Sequence, residues 1–368
     1  MKYVLLSIPL HRTGGIASWG QKYYQTYQNP NIKLIAVDNA PYRSEKSGLV
    51  ERIISGLFAA RRVFIAIKRQ CKNNKIDIIH TTTSGSIGSF RDIIIGRFCN
   101  RRKIKSIIHC HYGNISDVLS HKGFIRFLTL MALSYYDQIW VLDTKSLNYL
   151  NNIQQFKGKV KLNPNSIVVK ENIILSPKEF KEIAFIGNLV PDKGIFELVE
   201  AIKNVKYNVR LHIVGGGNPT VINRLRTIAG SELNNKIIIH GRLSNKDAVS
   251  FMESIDIVAL PTYMRAEAFP ISILEAMSLG KIVISTKRAA IQDMLTGLDG
   301  LPCGIFVREQ NIKDITNAII WCIENPQKAN TICRRAYEKV YHSYRTDVVY
   351  NLYTDCYNEL LKTNSTIN

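Results

Sequence analysis

Apolar and polar positions along this chain follow two periods. Short apolar runs bounded by turn residues mark strands, and apolar residues three or four apart mark helices. The spacing predicts a strand over Lys2–Ile8, a glycine-containing loop over Arg12–Gly20 and a strand over Lys33–Asp38. From about Gly48 to Asn73, Val50, Ile53, Ile54, Leu57, Phe58, Phe64 and Ile65 recur at helical spacing. Ile76–His80 and Ser106–His109 read as buried strands, Phe124–Tyr136 as a helix and Gln138–Leu142 as a strand. Asn148–Glu182 is then rich in Asn, Lys, Ser and Pro, and an inter-domain linker is expected near 170–180. The alternation restarts with strands at Ile183–Ile186, Arg210–Val214, Lys236–His240, Ile257–Leu260 and Ile282–Ser285. Helices are expected between them at Gly194–Asn204, Ser244–Ser254 and Pro270–Ser278, then at Ile312–Glu324 and over most of Thr331–Lys362. Strands alternating with helices throughout predict an α/β chain with two consecutive doubly wound parallel sheets, whose ligands bind at the carboxyl ends of the strands.

Charge changes the picture more than composition does. The 368 residues suffice for two domains, and 46% hydrophobic with 21% charged is ordinary for a globular protein. The net charge of +20 is lopsided: residues 1–175 hold 26 Lys and Arg against 9 Asp and Glu, the remainder 23 against 20. A basic half-molecule expects an anionic partner, and the absence of any nucleic-acid motif turns that expectation from nucleic acid toward a membrane surface. Arg61, Arg62, Lys68, Arg69 and Lys72 crowd one stretch; Arg97, Arg101, Arg102, Lys103 and Lys105 crowd another; Phe58, Phe64, Phe98, Phe124, Phe127 and Leu128 lie among or near them. A solvated basic face is the plainer alternative. No stretch is apolar enough to span a bilayer, and Tyr3–Leu10 is too short for a signal-peptide core. The seven cysteines stand singly, as reduced thiols would in a cytosolic protein, and form no metal-ligand cluster.

Four segments carry candidate chemistry. In Leu260–Met277 a strand runs into a loop holding Glu267, and a helix opens at Pro270 with Glu275 inside it. Free amides at that helix start, from Ile271 and Ser272, suit a phosphate, and the carboxylates suit sugar and ribose hydroxyls. By spacing alone they read equally as a helix-start charge and a helix-face Glu. Phe185–Gly194 places Lys193 at a helix start, where it can pair with a diphosphate or simply be solvated. Gly14 and Gly15 follow the first strand and allow close backbone approach, or only a tight turn; Gly215-Gly216-Gly217 lacks the spacing of a dinucleotide fingerprint. His109 and His111 share one side of an extended strand end, without carboxylate or Cys partners for a metal, so a core or hydrogen-bonding role is expected, as for His80.

Together these segments resemble the retaining glycosyltransferases of family 4, which have the GT-B fold of two facing Rossmann-like domains with a cleft between them. The resemblance rests on the Gly-Gly loop, a strand-end His, the turn ending Asp192-Lys193-Gly194, and Glu267-Ala-Phe-Pro-Ile-Ser-Ile-Leu-Glu-Ala-Met277 with its glutamates eight apart. It is strong over 180–310 and looser over 1–175. It implies an acceptor-binding domain at 1–175, a nucleotide-sugar domain at 176–345 and a C-terminal helix at 346–368 that packs back on the first domain. It also implies that Glu267 and the amides of Ala268 and Phe269 hold the donor sugar, with His111 beside it and His109 the lesser candidate. The amides of Ile271 and Ser272, with Lys193, would hold the diphosphate; Glu275 the ribose; Gly14 and Gly15 the phosphate; Arg242 would lie near the base. Three positions depart from the pattern: Asn188 stands where an Arg is usual, Ala268 where a Gly is usual, and Ala289-Ala290 in place of a Gly-containing turn.

The function so implied is transfer of a hexose or N-acetylhexosamine, with retention, from an NDP-sugar (UDP ahead of GDP) to a glycan or polyprenyl-diphosphate-linked saccharide acceptor. The setting would be surface-polysaccharide synthesis, such as O-antigen or capsule, on the cytoplasmic face of the plasma membrane. No D-x-D triplet occurs, so no metal or other cofactor is expected. A GT-B-shaped sugar-nucleotide epimerase and a non-catalytic nucleotide- or glycan-binding protein are the alternatives.

Overall fold

The computed structural model describes residues 1–11, 14–40, 49–113, 115–171 and 179–362. Its chain divides into two compact units, Met1–Asn165 with the segment from Val349 onward, and Ser166–Val348.

The first unit runs β1 (Lys2–Ile8), α1 (Gly15–Thr26), β2 (Ile32–Asp38), α2 (Leu49–Asn73), β3 (Ile78–Thr83), α3 (Ser89–Arg102), β4 (Lys105–Cys110), α4 (Ile115–Ser120), α5 (Phe124–Ser134), β5 (Gln138–Val141), α6 (Thr144–Asn151) and β6 (Val160–Leu162). The strands pair in the order β2-β1-β3-β4-β5-β6, all parallel, with Val4 of β1 in register with Leu34 and Ile78. Val4, Leu5, Leu6 and Ile8 are fully buried, as strands of a sheet covered on both faces must be. The order reverses between β1 and β3, so the crevice beyond their carboxyl ends is the ligand position this topology favours.

The expected loop over 12–20 is largely helix: α1 starts at Gly15 and buries Ala17, Trp19, Gly20 and Tyr23. Glycine punctuation hid an amphipathic face. Gly20 lets α1 lie close to β1: a Cβ there would stand 3.1 Å from Ile8 Cβ, a tight contact. Arg12 and Thr13 lie outside the described residues. The polar stretch after Asn148 is also folded, since it contributes β6 and the buried Phe156, Asn163 and Asn165. The change of unit falls at Asn165/Ser166 rather than at 175/176, and most of the expected linker, 172–178, lies outside the described residues.

The second unit runs β7 (Glu182–Ile186), α7 (Ile195–Asn204), β8 (Arg210–Val214), α8 (Pro219–Ala229), β9 (Ile237–Gly241), α9 (Asn245–Met252), β10 (Ile257–Leu260), α10 (Ile271–Ser278), β11 (Ile282–Ser285), α11 (Ala290–Met294), β12 (Ile305–Phe306), α12 (Ile312–Glu324) and α13 (Pro326–Ser343). The order β12-β11-β10-β7-β8-β9 is again parallel throughout. This is the doubly wound dinucleotide-type order, and its switch point lies between β7 and β10.

The last helix, α14 (Thr346–Lys362), belongs mostly to the first unit. Val349, Tyr350, Tyr353, Tyr357 and Leu360 form its buried stripe at helical spacing. The Tyr353 hydroxyl donates to the Pro164 carbonyl at 2.6 Å, and the Tyr357 hydroxyl lies 3.0 Å from that of Tyr23. Among the described residues no helix is long and apolar enough to cross a membrane.

Candidate active site

In the second unit the sequence-chosen residues gather at the switch point. The 3-10 turn Pro191–Lys193 follows β7, and the loop 261–270 follows β10. The two are laced together: Tyr263 N–H and the Thr262 hydroxyl donate to the Asp192 carbonyl at 2.8 and 3.3 Å. Gly194, with φ +76°, makes the approach possible, because a Cβ there would stand 2.2 Å from the Pro261 carbonyl oxygen. Lys193 is thereby held with its Nζ 3.2 Å from Glu267 Oε2. Glu267 is buried, and that same oxygen has no hydrogen-bond partner. The pair is close enough for charge attraction yet not aligned as a hydrogen bond, so a buried carboxylate oxygen remains free to accept from a ligand hydroxyl.

Three residues beyond Glu267, α10 begins on Pro270 with no side chain capping it. Ile271 and Ser272 lie half-buried in its first turn, where free amides and the positive dipole end favour an anion. Glu275, one turn further, is buried and accepts from Asn245 Nδ2 at 3.0 Å. Ala268 turns its carbonyl to Ala290 N–H at 3.2 Å, and Phe269 packs its ring against Tyr344 at 5.6 Å, leaving only its backbone for a ligand. Asn188 is exposed in the loop after β7. The glycine triplet is a packing device: a Cβ on Gly215 would sit 1.8 Å from the Gly187 carbonyl oxygen, and one on Gly216 would sit 2.7 Å from Arg242 Nε. The exposed Arg242 thus lies over the strand-end glycines, beside the loop that holds Asn188.

The first unit has a constellation of its own at the carboxyl ends of β1, β3 and β4. Gly14 and Gly15 are exposed at the start of α1, whose N-terminus has no side-chain cap. Trp19, one turn on, packs its ring 4.6 Å from His111 and 4.9 Å from His109. The His109 and His111 rings are 4.1 Å apart, and His80 stacks on His109 at 5.4 Å. His109 donates from Nε2 to the Asn163 carbonyl at 3.2 Å, and His80 Nδ1 lies 2.8 Å from the Tyr357 hydroxyl. Burial pushes His80 and His111 down to about 3, the charge of His111 adding to the effect on His80. Burial and then the two neighbouring imidazoles hold His109 well below the ordinary histidine range. All three are neutral rings at pH 7, and His111 Nε2 is buried without a partner. No group of three or more His, Cys, Asp or Glu among the described residues is arranged to hold a metal ion.

Sequence reading missed Asn245, Trp19 and the tyrosines of α14. Asn245 resembles any polar residue at a helix start, and its use appears only when α9 and α10 are side by side. Trp19 was hidden in the supposed loop. Tyr353 and Tyr357 lie more than 200 residues from their partners Trp19, Tyr23 and His80 in the chain.

Known proteins resemble this chain in sequence and in fold. Residues 169–339, nearly the whole second unit, match the family described as glycosyl transferases group 1. An uncharacterized glycosyltransferase of Methanocaldococcus jannaschii is 24% identical over 84% of this chain and 81% of its own. The N,N'-diacetylbacillosaminyl-diphospho-undecaprenol alpha-1,3-N-acetylgalactosaminyltransferase of Campylobacter jejuni is 26% identical over 49% of this chain and 45% of its own. Among solved structures, HepE of Anabaena in complex with UDP superimposes with a TM-score of 0.70 at 15% identity, covering 98% of this chain and 100% of that one. Two parallel six-stranded sheets with these relatives define a GT-B glycosyltransferase. Within it, the similarity to the group 1 glycosyl transferases lies in residues 169–339.

Proposed function

We propose that this enzyme transfers a sugar with retention of configuration, in the manner of family 4, from a UDP-sugar to a polyprenyl-diphosphate-linked glycan during surface-polysaccharide synthesis. The observation that carries the reading is the Lys193–Glu267 pair, 3.2 Å apart and set just ahead of the uncapped start of α10. It offers a cation and free amides to a diphosphate and a buried carboxylate oxygen to the sugar. Glu275 is assigned to the ribose, Arg242 to the neighbourhood of the base, and Asn188 to the rim where a second cation would otherwise stand. Gly14, Gly15 and His111 keep the phosphate-lining and sugar-facing roles the resemblance implies. A relative whose name specifies a diphospho-undecaprenol acceptor and a structural neighbour holding UDP support the lipid-linked acceptor and the base.

In the proposed reaction the bond between the anomeric carbon and the diphosphate oxygen breaks, and its electron pair leaves with the diphosphate. The α10 amides and Lys193 stabilise that developing charge. An acceptor hydroxyl bonds to the anomeric carbon on the same face, and its proton passes to the departing phosphate oxygen. No resident metal or cofactor has a step. The enzyme would work on the cytoplasmic face of the plasma membrane, where both substrates of such a reaction meet.

The test is a thermal-shift panel of UDP, GDP and their sugar conjugates, with and without EDTA. A ligand that binds only the folded state raises the melting temperature with its saturation. A UDP-dependent shift is expected, insensitive to EDTA and lost in Glu275→Ala; a shift with GDP alone would reassign the base, and none with any nucleotide would refute the donor site. The anomeric configuration of the product, read by NMR, tests retention.

A further inference from the structure

The first unit carries an apolar tip that its fold leaves uncovered. On α2, Ala60, Val63 and Ile67 are buried, while Phe58, Arg61, Ile65, Arg69 and Lys72 form the opposite, exposed stripe. On α3 the exposed stripe is Phe90, Ile94, Arg97 and Arg101, at helical spacing. On α5, Leu128, Ala132 and Leu133 face the core, while Phe124 and Phe127 in the first turn face out beside Lys122 and Arg126. Phe58, Phe124 and Phe127 are 67%, 64% and 59% exposed. The three helices meet there: the 3-10 turn Ser86–Gly88 touches all of them, and the Phe90 and Phe124 rings are 6.0 Å apart.

Topology fixes which end of the unit this is. Each of the three helices leads into the next strand of a parallel sheet, α2 into β3, α3 into β4 and α5 into β5. They therefore run antiparallel to the strands, and their N-terminal halves stand at the strands' carboxyl ends. The phenylalanines occupy those halves, on the same end of the sheet as Gly14, Gly15 and His111. The cations follow within one or two turns on the same stripes. The only acidic residues of α2, α3 and α5 are Glu51 and Asp92, and Asp92 is buried against Arg91.

We propose that the N-terminal halves of α2, α3 and α5 form a docking tip for an anionic bilayer, with Phe58, Phe124 and Phe127 entering the headgroup layer. Arg61, Lys122 and Arg126 contact lipid phosphates around them, with Arg97 behind. Aromatic rings ringed by cations, with no exposed carboxylate among them on α3 or α5, complement a surface that carries negative charge over an apolar layer, as an anionic bilayer does. The inference rests on the lipid-linked acceptor proposed above, and gives that acceptor an approach: the tip sets the carboxyl-end crevice of the first sheet against the membrane.

The experiment is co-sedimentation of the full chain with phosphatidylcholine vesicles, with and without phosphatidylglycerol, at low and high salt, beside the UDP thermal shift of each variant. Wild type is expected on phosphatidylglycerol vesicles at low salt and to be released by high salt. The triple variant Phe58→Ser/Phe124→Ser/Phe127→Ser should bind at least about tenfold more weakly while its UDP shift stays unchanged. Arg61→Glu/Arg126→Glu should lose the preference for the anionic lipid. Wild type that binds no vesicles while shifting with UDP, or a triple variant that binds as well as wild type, overturns the tip and leaves the donor site standing. Vesicle binding without any UDP shift does the reverse. A dimer that forms without vesicle binding and dissolves in the triple variant would assign the tip to a second copy and overturn the proposal.

Discussion

In the proposed donor site Glu267 and Lys193 are paired with each other, and this gives their variants opposite signatures. A diphosphate must draw the ammonium away from a carboxylate only 3.2 Å off. Glu267→Gln removes that competition and should tighten UDP by up to about tenfold, roughly 1.4 kcal/mol. It also removes the oxygen offered to the sugar, so turnover should fall by at least about a hundredfold. Lys193→Ala should weaken both. Calorimetric UDP titration beside single-turnover transfer separates the two, and a Glu267→Gln enzyme with weaker UDP binding would contradict the competition. Ala289 is a second residue-scale case. It opens α11 at φ +40° and ψ −128°, a region that suits glycine, and the next amide holds the Ala268 carbonyl. Ala289→Gly should raise stability by about 1 kcal/mol in chemical denaturation; a loss would mean the backbone there carries no strain. The family resemblance marks this turn as one where a glycine is usual, while Ala268, which also stands where a Gly is usual, shows no left-handed backbone.

At the scale of elements, strand–helix alternation made both sheets legible, because parallel strands buried on both faces are short apolar runs and little else. The placement of Glu267, Lys193, Ile271, Ser272 and Glu275 was legible too, because they lie on segments adjacent to strand ends, while the roles proposed for them come from the family resemblance and not from spacing. What escaped was long-range or disguised. The α1 helix hid behind Gly14 and Gly15 at its start, which no neighbour crowds, and Gly20, which lies close to Ile8. The partners of α14 are set by three-dimensional return of the chain, which no local period encodes. That return has measurable weight. The Tyr357 hydroxyl joins the Tyr23 hydroxyl at 3.0 Å and His80 Nδ1 at 2.8 Å inside a fully buried cluster. Tyr357→Phe keeps the ring but leaves both partners unsatisfied, and should cost about 1–3 kcal/mol of unfolding free energy. A cost near zero would mean that water or the remaining hydroxyls replace the bond, and α14 would then be held by its apolar stripe alone.

Over the whole molecule, charge and buried imidazoles concentrate in the same unit, and together they set how the protein meets acid. His80, His109 and His111 are neutral in the folded first unit, with His80 and His111 pushed down to about 3 and His109 held well below its ordinary range. In the unfolded chain each titrates near 6.5. Above that pH neither state binds their protons, and they add no pH dependence. As pH falls below 6.5 the unfolded chain takes up protons the folded one refuses, and stability drops until the folded pKa values are reached. Three such groups give a slope of roughly 4 kcal/mol per pH unit between about 6 and 4. That is comparable over two units to the whole stability of an ordinary domain. The basic surplus of residues 1–175 steepens the loss, since protonation adds positive charge to a unit already repelling itself. Trp19 and Trp140 border the histidines, and the third tryptophan, Trp321, lies on α12 of the other unit. Tryptophan fluorescence should therefore follow the acid transition of the first unit, with a midpoint between pH 4 and 6 that moves down when salt screens the surplus. His109→Asn should move it down as well, by removing one of the three protonations. A signal flat to pH 4 would mean that the first unit holds more stability at neutral pH than protonation of the three histidines in the unfolded chain removes.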